Sequence, residues 1–175
     1  MSELTHSLKG FFHDVLIGAD GTIYDFGRSS NTIVNTCRIL LAGFMHNDSS
    51  SGIQHLAVGQ GSPTWDAVGA PPTDPAVTTG LVNPFATVID VADLQIEYLN
   101  AADQVVPDPT SRLQITATLD PGFPTPLPGQ STYPLREFGL FGEFDGSPFM
   151  INSIRHSVIH KDAAATLIRV VRLYF

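Results

Sequence analysis

The sequence predicts a mainly β (α+β) fold, an antiparallel β-sandwich-like domain with one buried helix and long loops rich in proline and glycine. The clearest support is Arg112–Leu119, where apolar and polar residues alternate along the whole segment. Two Asp-Gly pairs, Asp20-Gly21 and Asp145-Gly146, lie between β-prone runs and favour tight hairpins. Only Thr32–His46 carries apolar residues at helical three- and four-residue steps. The 175 residues suit a single structural domain, 1–175, with a sizeable core.

The first part of the chain is predicted to hold an arm, a hairpin and a loop. Residues 1–12 are typical of a loosely held N-terminal arm that becomes apolar towards its end. The hairpin is expected to place strands at 13–18 and 22–26 on either side of the first Asp-Gly pair. The polar run 27–31 predicts a loop that supplies N-cap residues to the helix.

The predicted helix contains Arg38 as its only charged residue, so we expect a helix that is covered on most sides. A polar loop, 47–52, ends it, and Ile53–Val58 predicts a short strand that leads into a glycine-bounded loop. The following segment, 67–84, is rich in proline and lacks periodicity. Long irregular connections in compact domains usually bind or pack against a neighbour.

The C-terminal half predicts strands joined by polar or proline-rich loops. The expected strands are 85–91, 94–99, 112–119, 135–141, 149–159 and 166–174. A loop at 120–132, rich in proline and glycine, carries its own apolar residues, Phe123 and Leu127. The hairpin that turns at Asp145-Gly146 is rich in aromatic and aliphatic residues, and we expect it to organise the rest of the domain.

Acidic residues outnumber basic ones, 17 to 9, and the formal net charge is −8. A nucleic acid is therefore not an expected partner, because phosphate binding needs a clustered basic face. Only 15% of the residues are charged, which favours a surface that other subunits partly cover. Five basic residues fall near the C-terminus: Arg136, Arg155, Lys161, Arg169 and Arg172. This imbalance suits either head-to-tail stacking of copies or a solvated strand edge.

Cys37 is the only cysteine, so no internal disulfide is expected, and its apolar setting predicts a buried, inert thiol. The N-terminus lacks the apolar core of a signal peptide, which predicts synthesis in the cytoplasm. The sequence has no apolar run long enough for a transmembrane helix, so membrane insertion is not expected. Such a protein would leave its cell by lysis or within a particle.

No combination of residues predicts catalysis, a cofactor or a metal site, and the chain is not expected to be an enzyme. His156 and His160 have a metal-ligand spacing for a helix, but on a strand they would lie about 13 Å apart. Trp65, with Asp66 and His55 nearby, could form a sugar-binding cleft, since aromatic faces stack on sugar rings. The alternative is that Trp65 plugs the core beneath the long loop.

Arg136 and Glu137 interrupt an otherwise apolar strand, and alternation places their side chains on opposite faces. A buried carboxylate is costly unless it is paired. Glu137 is therefore expected to be either a buried carboxylate with an arginine partner or a subunit contact. The nearest candidate partners are Arg112, Arg169 and Arg172.

Three segments together resemble the tail proteins of phages and of phage-like contractile injection particles. They are Gly52–Gly61 (GIQHLAVGQG), the threonine-rich segment that leads to Leu81, and Leu135–Phe141 (LREFGLF). Tail-fibre and tail-collar proteins carry an alanine-valine-glycine strand followed by a glycine loop. They later carry an arginine-glutamate strand that ends in glycine-leucine-phenylalanine before an acidic-glycine turn. The sequence departs from a full-length fibre in lacking a repetitive shaft and a receptor-binding tip.

The resemblance implies a non-enzymatic structural assembly subunit of a phage tail or phage-like contractile injection particle, as a baseplate, collar, cap or fibre-attachment component. Its expected partners are copies of itself, as a homo-oligomer, and other tail or particle subunits within a virion or particle. Strand edges and the loops 67–84 and 120–132 are expected to dock onto neighbouring chains. The residues expected at the interface are Trp65, Phe123, Leu127, Arg136, Glu137, Arg169 and Arg172. The alternative function is a carbohydrate-binding module that recognises a surface glycan through the Trp65 loop.

Overall fold

The computed structural model describes residues 8–68 and 75–175, which form ten β-strands, one α-helix and two short 3-10 helices. The strands are β1 (Lys9–Ile17), β2 (Ile23–Ile33), β3 (Ser50–Gly59), β4 (Ile89–Asp90), β5 (Leu94–Leu99), β6 (Val105–Val106), β7 (Arg112–Leu119), β8 (Thr132–Phe144), β9 (Ser147–Asp162) and β10 (Thr166–Tyr174). The α-helix, α1, is Asn35–His46, and the 3-10 helices are Pro63–Val68 and Val91–Asp93.

These strands form one antiparallel sheet in the order β4-β3-β8-β9-β2-β1-β10-β7-β5-β6. β2 joins the two halves of the sheet. It pairs with β1 along most of its length, but with β9 at Thr32 and Ile33. One half therefore consists of β4, β3, β8 and β9, and the other consists of β2, β1, β10, β7, β5 and β6.

The two halves fold face to face. In a flat sheet, β8 and β10 would be four strand spacings apart, about 19 Å. Instead, the guanidinium carbon of Arg169 on β10 lies 3.5 Å from the centre of the Phe138 ring on β8. Phe12 on β1 also packs edge-on against Phe138, with ring centroids 5.5 Å apart. The predicted mainly β fold with one helix is confirmed.

Both Asp-Gly pairs lie in the predicted hairpin turns. Asp145 and Gly146 connect β8 to β9 as a two-residue loop between the paired residues Phe144 and Ser147. Their φ angles, 48° and 75°, are those of a type I′ turn, which matches the twist of the flanking strands. Gly21, also at positive φ, lies in the turn between β1 and β2.

Strands with clear period-two alternation form as predicted. β5, β7 and β10 have the expected bounds, and β9 contains the expected return strand. β8 lies between β3 and β9 and is buried from Tyr133 to Gly142, so it is the central strand of its half. The hairpin of β8 and β9 therefore has the organising position that its sequence predicts.

Part of the predicted N-terminal arm belongs to the sheet. Residues 9–12 form the start of β1, and Phe12 is a core residue. Residues 1–7 of that arm, and residues 69–74 of the predicted long connection, lie outside the described residues. The prediction of a loose arm is therefore wrong for 9–12.

The predicted loop at 27–31 is also wrong, because these residues continue β2. Residues 27–30 (GRSS) are exposed, so their composition is as polar as that of a loop. Gly27, at φ 73°, forms a β-bulge opposite Asp14, and this bulge lets the pairing with β1 continue past the extra residue.

The predicted strand 85–91 is wrong apart from Ile89–Asp90, which pair with β3 as β4. Phe85 donates its backbone N–H to β3 at 2.8 Å, so the segment follows the edge of β3 without forming a continuous ladder. The Asp90 carboxylate then accepts a hydrogen bond from the backbone N–H of Ala92. This cap starts a 3-10 helix and ends the pairing.

Helix α1 begins at Asn35 rather than Thr32, because Thr32 and Ile33 complete the ladder between β2 and β9. It ends at Asn47, which adopts the left-handed conformation with φ 64°. None of the helices in the described part of the chain has both the length and the apolar character that a membrane span requires.

Within this chain α1 is covered on one face, which differs from the expected helix covered on most sides. Its buried residues are Cys37, Leu40 and Gly43. Its exposed large apolar residues are Ile39, Phe44 and Met45, and Met45 is 87% exposed. The low charge of α1 therefore marks an apolar surface as well as a core contact.

Gly146→Ala is expected to lower the free energy of unfolding by about 1 kcal/mol, because a side chain at positive φ is strained even where space is free. Urea unfolding measures this change. Gly52→Ala is the matched control, since Gly52 also has free space but does not have a positive φ. Equal losses in the two variants would contradict the turn geometry.

Candidate functional site

The Glu137 carboxylate holds two loops against β8. It is 2% exposed and accepts hydrogen bonds from the backbone N–H groups of Gly61, Val82 and Asn83, at 3.1, 2.9 and 2.6 Å. Three backbone donors compensate the cost of burying a carboxylate. Glu137 is therefore the buried carboxylate of the two sequence alternatives, and its internal position corrects the expectation of a subunit contact.

Arg136 holds the same region from the opposite face of β8. Its guanidinium donates to the Asp66 carboxylate at 2.6–3.1 Å and to the backbone carbonyl of Gln60 at 3.0 Å. The hydrogen bonds from Arg136 lower the pKa of Asp66. Arg136 is buried, so its expected interface role is also corrected.

The Trp65 ring lies inside the chain, as the core alternative predicts. It is 9% exposed, and the guanidinium carbon of Arg155 lies 4.7 Å from the ring centroid. Gly61, at φ 55°, lies so close to the ring that no Cβ would fit there. These contacts correct the expectation that a neighbouring chain buries Trp65, and they leave no open ring face for a sugar.

Phe123 and Leu127 are partly buried and pack against the core. Phe85 links the 120–132 loop to β8, because its ring packs edge-on against both Phe123 and Tyr133, with centroid distances of 5.5 and 5.4 Å. The loop is thus attached to the domain while part of each side chain remains accessible. An interface role for Phe123 and Leu127 stays a prediction.

Arg169 is the centre of a buried polar cluster between the two halves of the sheet. It is fully buried, and its Nε and Nη2 donate to the two carboxylate oxygens of Asp14 at 2.7 and 2.8 Å. Nη2 also lies 2.9 Å from Nε2 of His156. Arg169 is therefore an internal residue, and the expectation that it contributes to an interface is wrong.

His156 accepts from Arg169 and is held as a neutral imidazole. Nε2 faces the guanidinium, so the ring proton lies on Nδ1, which is 2.8 Å from the backbone carbonyl of Ser157. Burial and the positive charge of Arg169 lower the pKa of His156 to about 4. His160, by contrast, is exposed beside Thr132, so the two histidines have different partners.

Arg172 belongs to a polar cluster on the outer surface. It donates hydrogen bonds to Gln114 at 3.0 Å and to Asp103 at 3.3 Å. The Asp103 carboxylate also accepts hydrogen bonds from Arg112 and Tyr174. Arg172 remains accessible, with a side chain that is 29% exposed. Its expected interface role stays a prediction.

The predicted charge imbalance between the ends of the chain is reduced by burial. Three of the five C-terminal basic residues, Arg136, Lys161 and Arg169, are buried. Lys161 donates to the backbone carbonyl of Asp120 at 3.0 Å, and burial lowers its pKa. These cations hold the interior together, so they form neither a stacking surface nor a solvated edge.

An apolar cleft of about 430 Å³ opens between α1 and parts of five strands, β3, β5, β7, β9 and β10, and we call it the α1 cleft. The helix lines it with Cys37, Leu40, Leu41 and Phe44, one face at helical spacing. The opposite wall comes from β5, β7 and the end of β10, with Ile96, Leu113 and Phe175. Glu97 is the only charged residue in the lining. Burial raises the pKa of the Cys37 thiol to about 11.

Sequence reasoning finds only one wall of the α1 cleft. The helical spacing and the near absence of charge in α1 are visible in the sequence. The second wall depends on which strands end opposite the helix, and no local pattern around Ile96 or Phe175 indicates this. Within residues 8–68 and 75–175, no group of three or more His, Cys, Asp or Glu side chains could hold a metal ion.

Glu137→Gln is expected to lower the free energy of unfolding by about 2–4 kcal/mol, because the amide NH2 would face a backbone N–H that now donates to a carboxylate oxygen. Urea unfolding measures the loss. Glu143→Gln, on the exposed part of the same strand, is the control and should change stability by less than about 0.5 kcal/mol. Similar effects of both substitutions would contradict the role of Glu137.

His156 is expected to make stability depend on pH between its unfolded pKa of 6.5 and its folded pKa of about 4. In this window the unfolded chain binds a proton that the folded chain does not, so stability falls as the pH falls, by up to about 3 kcal/mol. Urea midpoints at pH 7 and pH 4.5 measure the effect.

His156→Gln should flatten this dependence, because glutamine does not titrate and its amide can replace both hydrogen bonds of the imidazole. His46→Gln is the control, since the His46 side chain is 81% exposed. An unchanged slope in His156→Gln would show that other groups cause the acid sensitivity.

The two long segments from which a resemblance to tail proteins is expected lie on neighbouring strands. Gly52–Gly61 covers most of β3 and Leu135–Phe141 lies in β8, and Gly59 pairs with Glu137 in their shared ladder. The two segments therefore belong to one continuous part of the sheet, together with the glycine loop that Glu137 holds. Comparison of the chain with protein-family models, with curated proteins and with solved structures finds no match.

Proposed function

We propose that this chain is a non-enzymatic structural subunit of a phage tail or phage-like contractile injection particle, and that it binds its neighbours through the α1 cleft. The observation that carries the proposal is the open apolar surface of that cleft. Its rim residues Phe44 and Phe175 are 43% and 47% exposed. Contiguous apolar surface of this kind marks sites of interaction in soluble proteins, because covering it removes apolar area from water.

The polar clusters of the chain support a structural role. Glu137 binds three backbone amides, Arg136 binds Asp66, and Arg169 binds Asp14. Each of these groups fixes one segment of the chain against another. These polar groups make their hydrogen bonds within the chain, whereas the apolar α1 cleft is open to solvent and can contact a neighbour.

A second copy of the chain is the occupant that the arrangement favours. Leu173 and Phe175, at one end of β10, line the α1 cleft. The other end of β10 pairs with the β1–β2 hairpin, through Thr166 and Ile17. The hairpin exposes apolar residues of its own, and Ile23 is 66% exposed. Apolar surfaces at opposite ends of one molecule suit head-to-tail contacts, which close into rings or extend into columns.

The setting in a tail or injection particle rests on the resemblance of Gly52–Gly61 and Leu135–Phe141 to tail proteins. Reading frames for tube, sheath or baseplate proteins are expected beside the gene of this chain. Their absence would contradict this part of the proposal and would leave self-assembly to be judged on its own. The carbohydrate-binding alternative loses its supporting observation, because the Trp65 ring is buried.

The purified chain is expected to form assemblies of several copies, visible as rings or short columns in negative-stain electron micrographs. Phe44→Ser should shift the mass towards the monomer, because it removes an aromatic side chain from the rim of the α1 cleft. Sedimentation velocity measures the mass, and urea unfolding checks that the variant remains folded.

Ile39→Ser is the matched control. Ile39 is an exposed apolar residue of the same helix, 51% exposed, but it does not line the α1 cleft. The control should keep the wild-type mass. A wild-type chain that stays monomeric at high concentration would overturn the proposed assembly, and equal disruption by both variants would move the contact away from the cleft.

A further inference from the structure

Within residues 8–68 and 75–175, two long strand edges pair with no other strand. β2 and β9 pair at Thr32 and Ile33 of β2 and then diverge. Beyond that point, residues 23–31 of β2 pair with β1 on one side, and residues 154–162 of β9 pair with β8 on one side. Among the described strands no other ladder covers the facing edges. We call the gap between them the β2–β9 fork.

The fork differs from the outer edges of the same sheet. The outermost strands, β4 and β6, are two residues long each, and they leave only short parts of β3 and β5 without a ladder on that side, such as residues 50–54 and 94–97. Each edge of the fork is nine residues long, or about 30 Å in an extended chain. Unpaired backbone N–H and C=O groups along such an edge are a template for another strand.

The opening of the fork is built into the register of the sheet. β2 carries the bulge at Gly27. In β9, the four steps from Ile159 to Arg155 lie opposite only two steps in β8, from Leu135 to Glu137. Bulges bend and twist the strand that contains them. Both strands are therefore bent in the region where they separate.

Two adjoining cavities lie in the fork, and together we call them the groove. Two cavities of about 500 and 320 Å³ lie between β2 and β9, and both are lined by Phe26 and Ile159. The wider cavity reaches the β1–β2 turn, and the narrower one ends at Asp14 and His156. Tyr24 and Phe26 are 53% and 48% exposed, so β2 presents aromatic side chains to the groove.

We propose that the β2–β9 fork binds an extended strand from a second copy of this chain, namely its N-terminal segment, residues 1–7. Only an extended backbone can satisfy the alternating donors and acceptors of a strand edge, which favours strand addition over a helix or a glycan. Seven extended residues span about 23 Å and fit within the length of the edge. In an extended conformation, Leu4 and His6 would share one face, which suits the aromatic wall of the groove.

The position of the segment favours a second copy as its source. The segment is bonded to Leu8, which precedes Lys9, and Lys9 pairs with Tyr174 at the end of β10 that lines the α1 cleft. The wide end of the groove lies at the opposite end of β1, near the turn that follows Ile17. In the head-to-tail arrangement, the cleft end of one copy meets the hairpin end of the next. The head-to-tail arrangement rests on the proposed function. In that arrangement, the N-terminal segment of one copy lies near the groove of its neighbour.

Disulfide cross-linking between two full-length variants tests the proposal. One variant carries Leu4→Cys and the other carries Tyr24→Cys, and the native Cys37 is buried in both. After mixing and mild oxidation, a cross-linked dimer of the two variants is expected, because bound strands hold the two thiols at a high effective concentration. Val105→Cys is the matched control for Tyr24→Cys, since both positions are 53% exposed.

The expected yield with Tyr24→Cys is at least about tenfold that with Val105→Cys. Equal yields would overturn the proposal. A double variant, Leu4→Cys with Tyr24→Cys, that cross-links only within one chain would also overturn it, because the segment would then occupy its own groove.

Hydrogen exchange gives a second measurement with a defined probe, the synthetic peptide MSELTHS. The full-length Phe44→Ser variant is used, so that association through the α1 cleft does not contribute. Added peptide should slow the exchange of amides in residues 154–160 by at least about tenfold, and a scrambled peptide should not. No slowing at saturating peptide would overturn the proposal.

The two proposals fail in different ways. If Phe44→Ser leaves the mass of the assembly unchanged while the peptide protects β9, the cleft contact is wrong and the strand site stands. If Phe44→Ser yields monomers while cross-linking does not exceed the Val105 control, the strand site is wrong and the cleft contact stands.

Discussion

The packing of the two halves of the sheet depends on a buried ion pair that lies within one of them. Arg169 and Asp14 are directly opposite each other on β10 and β1, and the guanidinium reaches across the core to His156 and to the face of Phe138. Replacing such a pair by apolar residues often costs little, but removing one partner leaves a buried charge uncompensated. The cluster therefore favours one arrangement of the two halves of the sheet over others. The contacts of Arg169 with His156 and with the Phe138 ring bring the two halves to a fixed spacing, whereas Nη1 of Arg169 has no hydrogen-bond partner among the described residues.

Buried, hydrogen-bonded charged groups also fix the loops around β8, and their burial leaves the outer surface with few charges and with exposed apolar residues. Arg136, Glu137 and Lys161 are all buried and hydrogen-bonded, so several of the few charged groups in the chain are used internally. The outer surface is left with exposed apolar residues on α1 and on the β1–β2 hairpin. Polar groups therefore define much of the interior, while apolar groups face outwards on α1 and on the β1–β2 hairpin.

Local patterns predicted the local elements. Alternation located β5, β7 and β10, and the Asp-Gly pairs located both hairpin turns. The prediction for 27–31 is wrong because an exposed strand can have the composition of a loop, and the predicted helix start is wrong because Thr32 pairs with β9. The contacts that create the sites are non-local: Asp14 and Arg169 are separated by most of the chain, and the walls of the α1 cleft come from both halves of the sheet. Periodicity within one segment carries no information about such pairs.

The position of Cys37 makes its thiol a natural probe for local opening of helix α1. Cys37 carries the only thiol in the sequence, is 3% exposed and lines the α1 cleft. Its thiolate is scarce at neutral pH because burial raises the pKa of the thiol to about 11. Alkylation of this thiol requires local opening of α1, because only an exposed thiol ionises readily in water. The rate at which a small electrophile alkylates the Cys37 thiol therefore reports how often α1 opens locally, without any engineered label.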